Sequence, residues 1–200
     1  MRRRTATAAG LSAIYSEGIN LAEWQRELST PVRSYAAGMV KLNTGFTLRQ
    51  VVPADVTDTT LVPLLPDAGD KFSRSRLAFA EDLRLLCDMY ACLFDLEQIG
   101  LRISVLNKAM CPRFHVDHVV CRLICTYFGR GTEWLPESSV NRKALGEERH
   151  QYDIETLHEG SVGLLKGEKW PGNEGRGLVH RSPAASGTQP RLVLTLDPVA

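Results

Sequence analysis

Residues 119–128, VVCRLICTYF, are rich in β-branched and aromatic side chains and predict a strand. Other short runs of this kind follow Gly100 and are separated by Gly, Pro and Asn: residues 101–106, 161–165, 178–179 and 191–196. Several short strands with turn residues between them are typical of a sandwich or barrel. Strands and helices do not alternate here, which argues against a doubly wound fold. We therefore expect an all-β C-terminal half.

A short helix is predicted near the N-terminus. Asn20 and Glu23 have the spacing of a capping box, and apolar residues recur after them at helical intervals. We expect a helix over residues 20–29, with Pro31 marking its end.

A second, longer helix is predicted over residues 75–98, where apolar side chains stay near one face and charges occupy the other. Gly100 is expected to stop it. Residues 53–70 contain three prolines among Asp, Thr and Gly, so we expect a linker or covering loop there. The expected organisation is an N-terminal helical or irregular segment with a proline-rich linker over residues 1–70, followed by the long helix and the β core over residues 71–200.

Size and charge limit the possible functions. The 200 residues, 44% of them hydrophobic, are enough for one main domain. Lys plus Arg is 24 and Asp plus Glu is 23, giving a net charge of +1 that favours neither nucleic acid nor a membrane surface as a partner. Residues 77–96 are apolar but carry five charges, which excludes a transmembrane helix. Five cysteines without disulfide-like spacing indicate a cytoplasmic protein.

His115 and Asp117 are the most informative local feature. If residues 115–117 are extended, both side chains project to the same face. A second histidine, His180, follows in the glycine-containing segment before the last strand. Two histidines and one carboxylate form the facial set that holds Fe(II) and leaves other coordination positions open. We therefore predict that His115, Asp117 and His180 are metal ligands.

The last predicted strand carries a basic residue close to this set. Arg191, Val193 and Thr195 share one face of the strand, while Leu192, Leu194 and Leu196 share the other. A guanidinium beside a hydroxyl can hold a carboxylate through two hydrogen bonds. An anion site next to the metal is therefore expected.

Cysteine and histidine offer a different metal site. Five such residues fall within fifteen positions and suit zinc: Cys111, His115, His118, Cys121 and Cys125. Cys121 and Cys125, however, would lie about 13 Å apart on a strand, too far to hold one ion. A cysteine-containing zinc site remains the competing hypothesis.

The order of these features resembles that of the Fe(II)/2-oxoglutarate-dependent oxygenases of the double-stranded β-helix type. The resemblance covers about residues 101–197 and implies that His115, Asp117 and His180 bind iron. It also implies that Arg191 pairs with the distal carboxylate of 2-oxoglutarate, with Thr195 or Tyr127 as helpers. Many members carry Ser or Thr two residues after the anchoring arginine, where this chain has Val193.

A closer resemblance is to a bacterial family of unknown function, number 1826. It rests on four phrases: residues 111–117 (CPRFHVD), 131–136 (GTEWLP), 165–168 (LKGE) and 170–173 (WPGN). This family implies no particular reaction. The two tryptophans in these phrases, Trp134 and Trp170, either line the mouth of the pocket or pack over the barrel.

The fold expected from these features is α+β, with a C-terminal double-stranded β-helix, or cupin-like jelly roll, and N-terminal helices packed outside it. The expected function is that of an Fe(II)/2-oxoglutarate-dependent dioxygenase acting on an unidentified small molecule or protein side chain. The alternative is a cupin-like protein that binds zinc or iron without turnover, in metal handling or sensing.

Overall fold

The structure is a computed structural model that describes residues 1–42, 45–67, 69, 72–145, 152–183 and 190–199. Within these ranges the α-helices are α1 (Thr30–Leu42), α2 (Asp58–Leu61) and α3 (Ser73–Phe94). The strands are β1 (Arg2–Thr5), β2 (Leu21–Trp24), β3 (Thr47–Pro53), β4 (Gln98–Leu106), β5 (Cys121–Phe128), β6 (Glu133–Trp134), β7 (Glu155–Thr156), β8 (Val162–Lys166), β9 (His180–Arg181) and β10 (Arg191–Pro198). None of the helices in these ranges has the length and apolarity needed to span a bilayer.

Two sheets form the β part of the molecule. The major sheet has seven strands in the order β1-β2-β8-β5-β10-β4-β3, and the minor sheet has three in the order β7-β6-β9. Strands β1 and β2 are parallel, and the other pairs are antiparallel. The protein is therefore α+β with a large, mainly antiparallel sheet.

The two faces of the major sheet bury different partners. On one face, Leu192, Leu194 and Leu196 of β10 join the main hydrophobic core, which also contains buried side chains of α1 and α3. On the opposite face, Val193 joins a smaller cluster with Trp134 of the minor sheet. Because side chains alternate along a strand, the helices cover one face and the minor sheet covers part of the other. The predicted division of β10 into two faces is thus found in the structure.

The predicted helix over residues 20–29 is wrong. Leu21–Trp24 is strand β2, inserted between β1 and β8, and Pro31 lies in the first turn of α1 instead of ending a helix. Glu23, expected to cap a helix, is fully buried and lies within 3.7 Å of Arg2 and 3.4 Å of Arg4 on β1. Strand pairing and this buried carboxylate therefore outweigh a local helical spacing.

Residues before position 70, where an irregular segment and a linker were expected, contribute to the major sheet and to the main hydrophobic core. The described part of this segment supplies β1, β2 and β3 to the major sheet, and its buried apolar residues other than Leu21 belong to the same main core as those of α3. Residues 53–67 include α2, whose Leu61 is fully buried. Residues 43, 44, 68 and 70 lie outside the described part. The expected boundary at residue 70 is thus not a break in the core.

The long helix was predicted close to its observed bounds. It ends at Phe94 because Asp95 adopts a left-handed conformation with φ of 51°. Gly100, the expected stop, instead lies within β4 and pairs with Asp197.

A polar network connects α3 to the major sheet from the helix side. The Arg26 guanidinium donates two hydrogen bonds to the carboxylate of Asp82, at 2.6 and 2.8 Å. The Tyr127 hydroxyl donates to the same carboxylate. Burial raises the pKa of Tyr127 well above its usual value, so the phenol keeps its proton and remains a donor. Asp82 therefore binds the Tyr127 hydroxyl and is the carboxylate partner of Arg26, whose Nε donates separately to the carbonyl of Gly160 at 3.0 Å.

Replacing Asp82 should destabilise the protein, because it removes the hydrogen bonds that connect α3 to Arg26 and to Tyr127 of the major sheet. We expect Asp82→Ala to lower the free energy of unfolding by about 3 kcal/mol, since it leaves a largely buried guanidinium without its partner. Tyr127→Phe should cost about 1 kcal/mol. The control Asp88→Ala removes only a partly exposed ion pair with Arg84 and should cost less than about 0.5 kcal/mol. Urea denaturation measures all three, and an equal loss for Asp82 and Asp88 would contradict the assignment.

Candidate metal centre

A two-way backbone contact brings His115 and His180 together. The amide of His115 donates to the carbonyl of His180 at 3.0 Å, and the amide of His180 donates back at 2.9 Å. This isolated antiparallel bridge joins the loop between β4 and β5 to β9 of the minor sheet. The ring centroids consequently lie 4.6 Å apart. Residues 65 positions apart in the sequence are thus adjacent in space.

Close packing of two loops holds Asp117. Its carbonyl accepts a hydrogen bond from the amide of Glu168 at 2.9 Å. The preceding residue, Gly167, has no room for a side chain, because a Cβ there would lie 2.1 Å from the carbonyl oxygen of Val119 and 2.7 Å from that of Asp117. Gly167, in the LKGE phrase, therefore allows the segment that follows β8 to pack closely against the loop between β4 and β5, which carries Asp117.

The three predicted ligands converge. His115, Asp117 and His180 each offer one ligand atom, and these atoms lie within 4.8 Å of one another. The Nε2 atoms of His115 and His180 lie 3.6 and 3.2 Å from oxygens of Asp117. Both Nδ1 atoms contact backbone carbonyl oxygens, of Arg113 at 2.9 Å and of Leu178 at 3.1 Å. Since a carbonyl only accepts, each Nδ1 carries a proton and each Nε2 is the ring's metal-binding atom.

The charge on Asp117 is maintained by its surroundings. Burial by itself raises the pKa of Asp117, but contacts with His115 and His180 and the charge of Arg122 outweigh it and hold that pKa well below its usual range. The contact with Asp117 in turn raises the pKa of His115, against the effect of burial. Asp117 is therefore an ionised carboxylate, as metal binding requires.

Arg122 links Asp117 to the last strand. Its Nη1 lies 2.7 Å from Asp117 Oδ2, while Nε and Nη2 each donate to the carboxylate of Asp197 at 2.8 Å. Sequence reasoning did not identify Arg122. The sequence feature that could have identified Arg122 is the alternation along β5, which puts Arg122, Ile124 and Thr126 on the face opposite to Tyr127.

A cavity of about 70 Å³ adjoins the two ligand histidines. Its lining includes both histidines and the β10 residues Arg191, Val193 and Thr195. The Arg191 side chain is buried, donates from Nε to the carbonyl of Arg130, and makes long hydrogen bonds from Nη2 to the hydroxyls of Thr126 and Thr132, at 3.4 and 3.5 Å. Burial lowers the pKa of Arg191 to about 10, so the guanidinium stays charged at neutral pH. No carboxylate of the described residues forms an ion pair with it.

The expected helpers of Arg191 have different positions. Thr195 lines the cavity, and its hydroxyl oxygen is buried without a hydrogen-bond partner among the residues described. Tyr127 lies on the helix side of β5, where its ring contacts Phe79 and its hydroxyl binds Asp82. The structure therefore does not bring Tyr127 to the cavity, and the hydroxyls beside Arg191 are those of Thr126 and Thr132.

The competing cysteine-containing zinc site is not assembled. Cys121 and Cys125 are fully buried in the main core on the helix side of the sheet, whereas His118 is exposed. Burial raises the pKa of the Cys125 thiol to about 12, which disfavours the thiolate that zinc needs. Across the described ranges, His115, Asp117 and His180 form the one group of three potential ligands.

The two tryptophans are packing residues. Trp134 is buried beside Ile124 and Val193, with the Arg2 guanidinium 4.9 Å from its ring centroid. Trp170 packs against Tyr15 in a tilted geometry and against Phe94 edge-on. Neither tryptophan belongs to the cavity lining, and both pack against hydrophobic clusters.

The residues present fit a divalent metal and a carboxylate-bearing cosubstrate. Two imidazole nitrogens and a carboxylate suit Fe(II) as well as zinc. The Asp117 carboxylate lies 3.6 and 3.2 Å from the two Nε2 atoms, so an ion placed among the three groups would be within reach of all of them. The charged Arg191 and the unpartnered Thr195 hydroxyl supply complementary groups for an anion in the same cavity.

Metal binding should depend on His180 and not on His118. We expect the metal-free protein to bind one Co²⁺, seen by its visible absorption and by a rise in unfolding temperature. His180→Ala should weaken binding by more than the roughly 10- to 100-fold cost of losing an outer-shell partner. His118→Ala, a matched change at the exposed histidine that directly follows Asp117 in the sequence, should retain wild-type affinity. Equal losses in the two variants would contradict the ligand set.

Comparison with known proteins agrees with this architecture. The structure is similar to a dioxygenase for auxin oxidation from rice (13% identity, TM-score 0.55, covering 90% of this chain and 74% of that one). It is also similar to Neurospora crassa T7H in complex with alpha-KG and 5-formyluracil (12% identity, TM-score 0.52, covering 96% and 76%). At these identities the likeness establishes a shared fold. No curated protein is significantly similar in sequence. A family model described as "Protein of unknown function (DUF1826)" matches residues 5–197, and the chain therefore belongs to that family.

Proposed function

We propose that this protein is an Fe(II)- and 2-oxoglutarate-dependent oxygenase built on a double-stranded β-helix. The observation that carries the proposal is that Arg191, a buried arginine without a carboxylate partner among the described residues, lines the same cavity as His115 and His180. A buried charge of this kind is costly unless a ligand compensates it. The oxygenase fold of the structural neighbours supports the same assignment.

Each group in the cavity has a distinct task in this proposal. His115, Asp117 and His180 would hold the metal, and a set of three such ligands leaves other coordination positions open. Arg191 binds the distal carboxylate of 2-oxoglutarate, and Thr126 and Thr132 orient its guanidinium. When bound, Fe(II) and 2-oxoglutarate together supply an oxidant for a substrate C–H bond in the presence of O₂. Val193 and Ile124 provide apolar wall that limits water around these groups.

Val193 stands where many related enzymes have a residue with a hydroxyl group, and other hydroxyl groups lie near Arg191 instead. Many related enzymes place a hydroxyl two residues after the anchoring arginine, on the same strand. Here the hydroxyls next to Arg191 come from β5 and from the segment before β6, as Thr126 and Thr132. We propose that they replace the missing hydroxyl, with Thr195 available to the bound cosubstrate. The proposed setting is the cytoplasm, and the substrate is a small molecule or a protein side chain.

Cosubstrate turnover tests the proposal. Protein loaded with Fe(II) without oxygen should develop a visible charge-transfer band on addition of 2-oxoglutarate, and should form succinate when air is admitted. His180→Ala should lose both signals, whereas His118→Ala should keep them. Stoichiometric metal without a charge-transfer band or succinate would refute the proposal and favour the non-catalytic zinc or iron protein.

Arg191 should determine the choice of 2-oxo acid. We expect Arg191→Gln to weaken 2-oxoglutarate binding by about 100-fold, the cost of a lost bidentate charge-assisted pair. Binding of 2-oxobutyrate, which lacks the distal carboxylate, should change little, so the variant should no longer distinguish the two acids. Titration of the charge-transfer band measures both constants. Equal weakening for both acids would indicate a general distortion of the site instead.

A further inference from the structure

A second pair of arginines lies next to the metal cavity. Arg102 of β4 lines that cavity and also lines an open groove of about 300 Å³ on the neighbouring part of the sheet. Arg49 of β3 lines the same groove and is exposed. Arg102 lines both the inner cavity and the outer groove, so the two spaces adjoin at this residue.

The strand register places these side chains on one face. Arg49 is directly opposite Arg102, and Arg102 is directly opposite Thr195, which lines the metal cavity. Residues opposite each other in antiparallel strands project to the same side of the sheet. Arg49 and Arg102 consequently extend the cavity wall outwards from Thr195. The minor sheet packs over Ile124 and Val193, nearer the middle of the major sheet, and leaves Arg49 exposed.

These two charges form no ion pair within the described part of the chain, although Asp197, which is paired with Arg122, also lines the groove. Arg122 pairs with Asp117 and Asp197, and Arg181 pairs with Glu133 at 2.7 Å, so the nearby carboxylates are already engaged. Neither Arg49 nor Arg102 forms an ion pair with a described residue, and the one side-chain contact of the Arg102 guanidinium is with Met110 Sδ at 3.9 Å.

The arrangement is also electrostatically unfavourable in the free protein. Like charges directly opposite each other on a sheet repel. Burial, followed by the charges of Arg49 and Arg122, lowers the pKa of Arg102 despite the opposing effect of Asp197. An anion placed between Arg49 and Arg102 would relieve this repulsion.

We propose that Arg49 and Arg102 form the binding site for an oxyanion, a phosphate or carboxylate, carried by the substrate that the protein oxidises. Two guanidinium forks on neighbouring strands match the oxygens of such a group. An anion held in the outer groove lets the rest of the substrate extend past Arg102 towards the metal ligands. This inference relies on the proposed function for assigning Arg191 to the cosubstrate, so that Arg49 and Arg102 remain for the substrate.

Binding of simple aryl oxyanions to the metal-free protein tests the site. Phenyl phosphate and benzoate are the probes, and benzyl alcohol is the neutral control, at low ionic strength because salt screens such contacts. The ¹⁵N resonances of the arginine Nε groups report binding, and the single variants Arg49→Gln and Arg102→Gln assign the two signals. We expect saturable binding of at least one probe that shifts both signals, and none of benzyl alcohol. The tighter probe identifies the anion.

Matched variants separate a built site from general charge attraction. Arg49→Gln/Arg102→Gln should weaken the probe by about tenfold or more, because hydrogen bonds to charged groups are lost. Arg33→Gln/Arg74→Gln removes the same charge from exposed positions on α1 and α3 and should leave binding unchanged. Arg49→Gln alone, at an exposed position, preserves the fold and should weaken binding several-fold. Absence of saturable binding, or equal weakening in the two double variants, would overturn the proposal. Because no metal or turnover is involved, this result is independent of the succinate assay.

Discussion

The reciprocal backbone hydrogen bonds between His115 and His180 are the contact on which the site depends. They join the loop between β4 and β5 to β9, and so fix the distance between two imidazoles that are 65 positions apart in the sequence. A bridge of this kind constrains main-chain positions and leaves the rings free to rotate toward the carboxylate. The Nδ1 contacts with the carbonyls of Arg113 and Leu178 then select the ring orientation. Ligand geometry is thus set by the backbone before any ion binds.

The arginines around this bridge differ in whether a carboxylate neutralises them. Arg122 pairs with the ligand Asp117 and with Asp197, whereas Arg191 within the cavity and Arg102 at its border are not paired with carboxylates of the described residues. The protein therefore retains positive charge where anionic small molecules would enter, although its overall charge is only +1. A near-neutral protein can hold a strongly basic pocket because its acidic and basic residues are not evenly placed.

The sequence predicted those features that depend on alternation or on long periodic runs. The faces of β10, the long helix α3 and the convergence of His115, Asp117 and His180 were predicted, since each follows from strand or helix periodicity or from a motif. Residues 21–24 were misassigned because so short a segment carries no decisive period, and its pairing partners are distant in sequence. Tyr127 was placed at the cofactor by the resemblance to the oxygenases, although strand alternation puts it on the helix side. The partners of Arg191 and Arg102 come from separate strands, and sequence spacing does not reveal such cross-strand neighbours.

Strand β5 separates two environments with a single layer of backbone. Cys121, Leu123 and Cys125 face the main core, while Arg122, Ile124 and Thr126 face the cavity side. Substitutions accumulating at one set of alternate positions therefore act on folding, and those at the other set act on ligand choice. Stability and ligand selectivity can therefore change independently among relatives of this protein, although both depend on the same eight residues of β5.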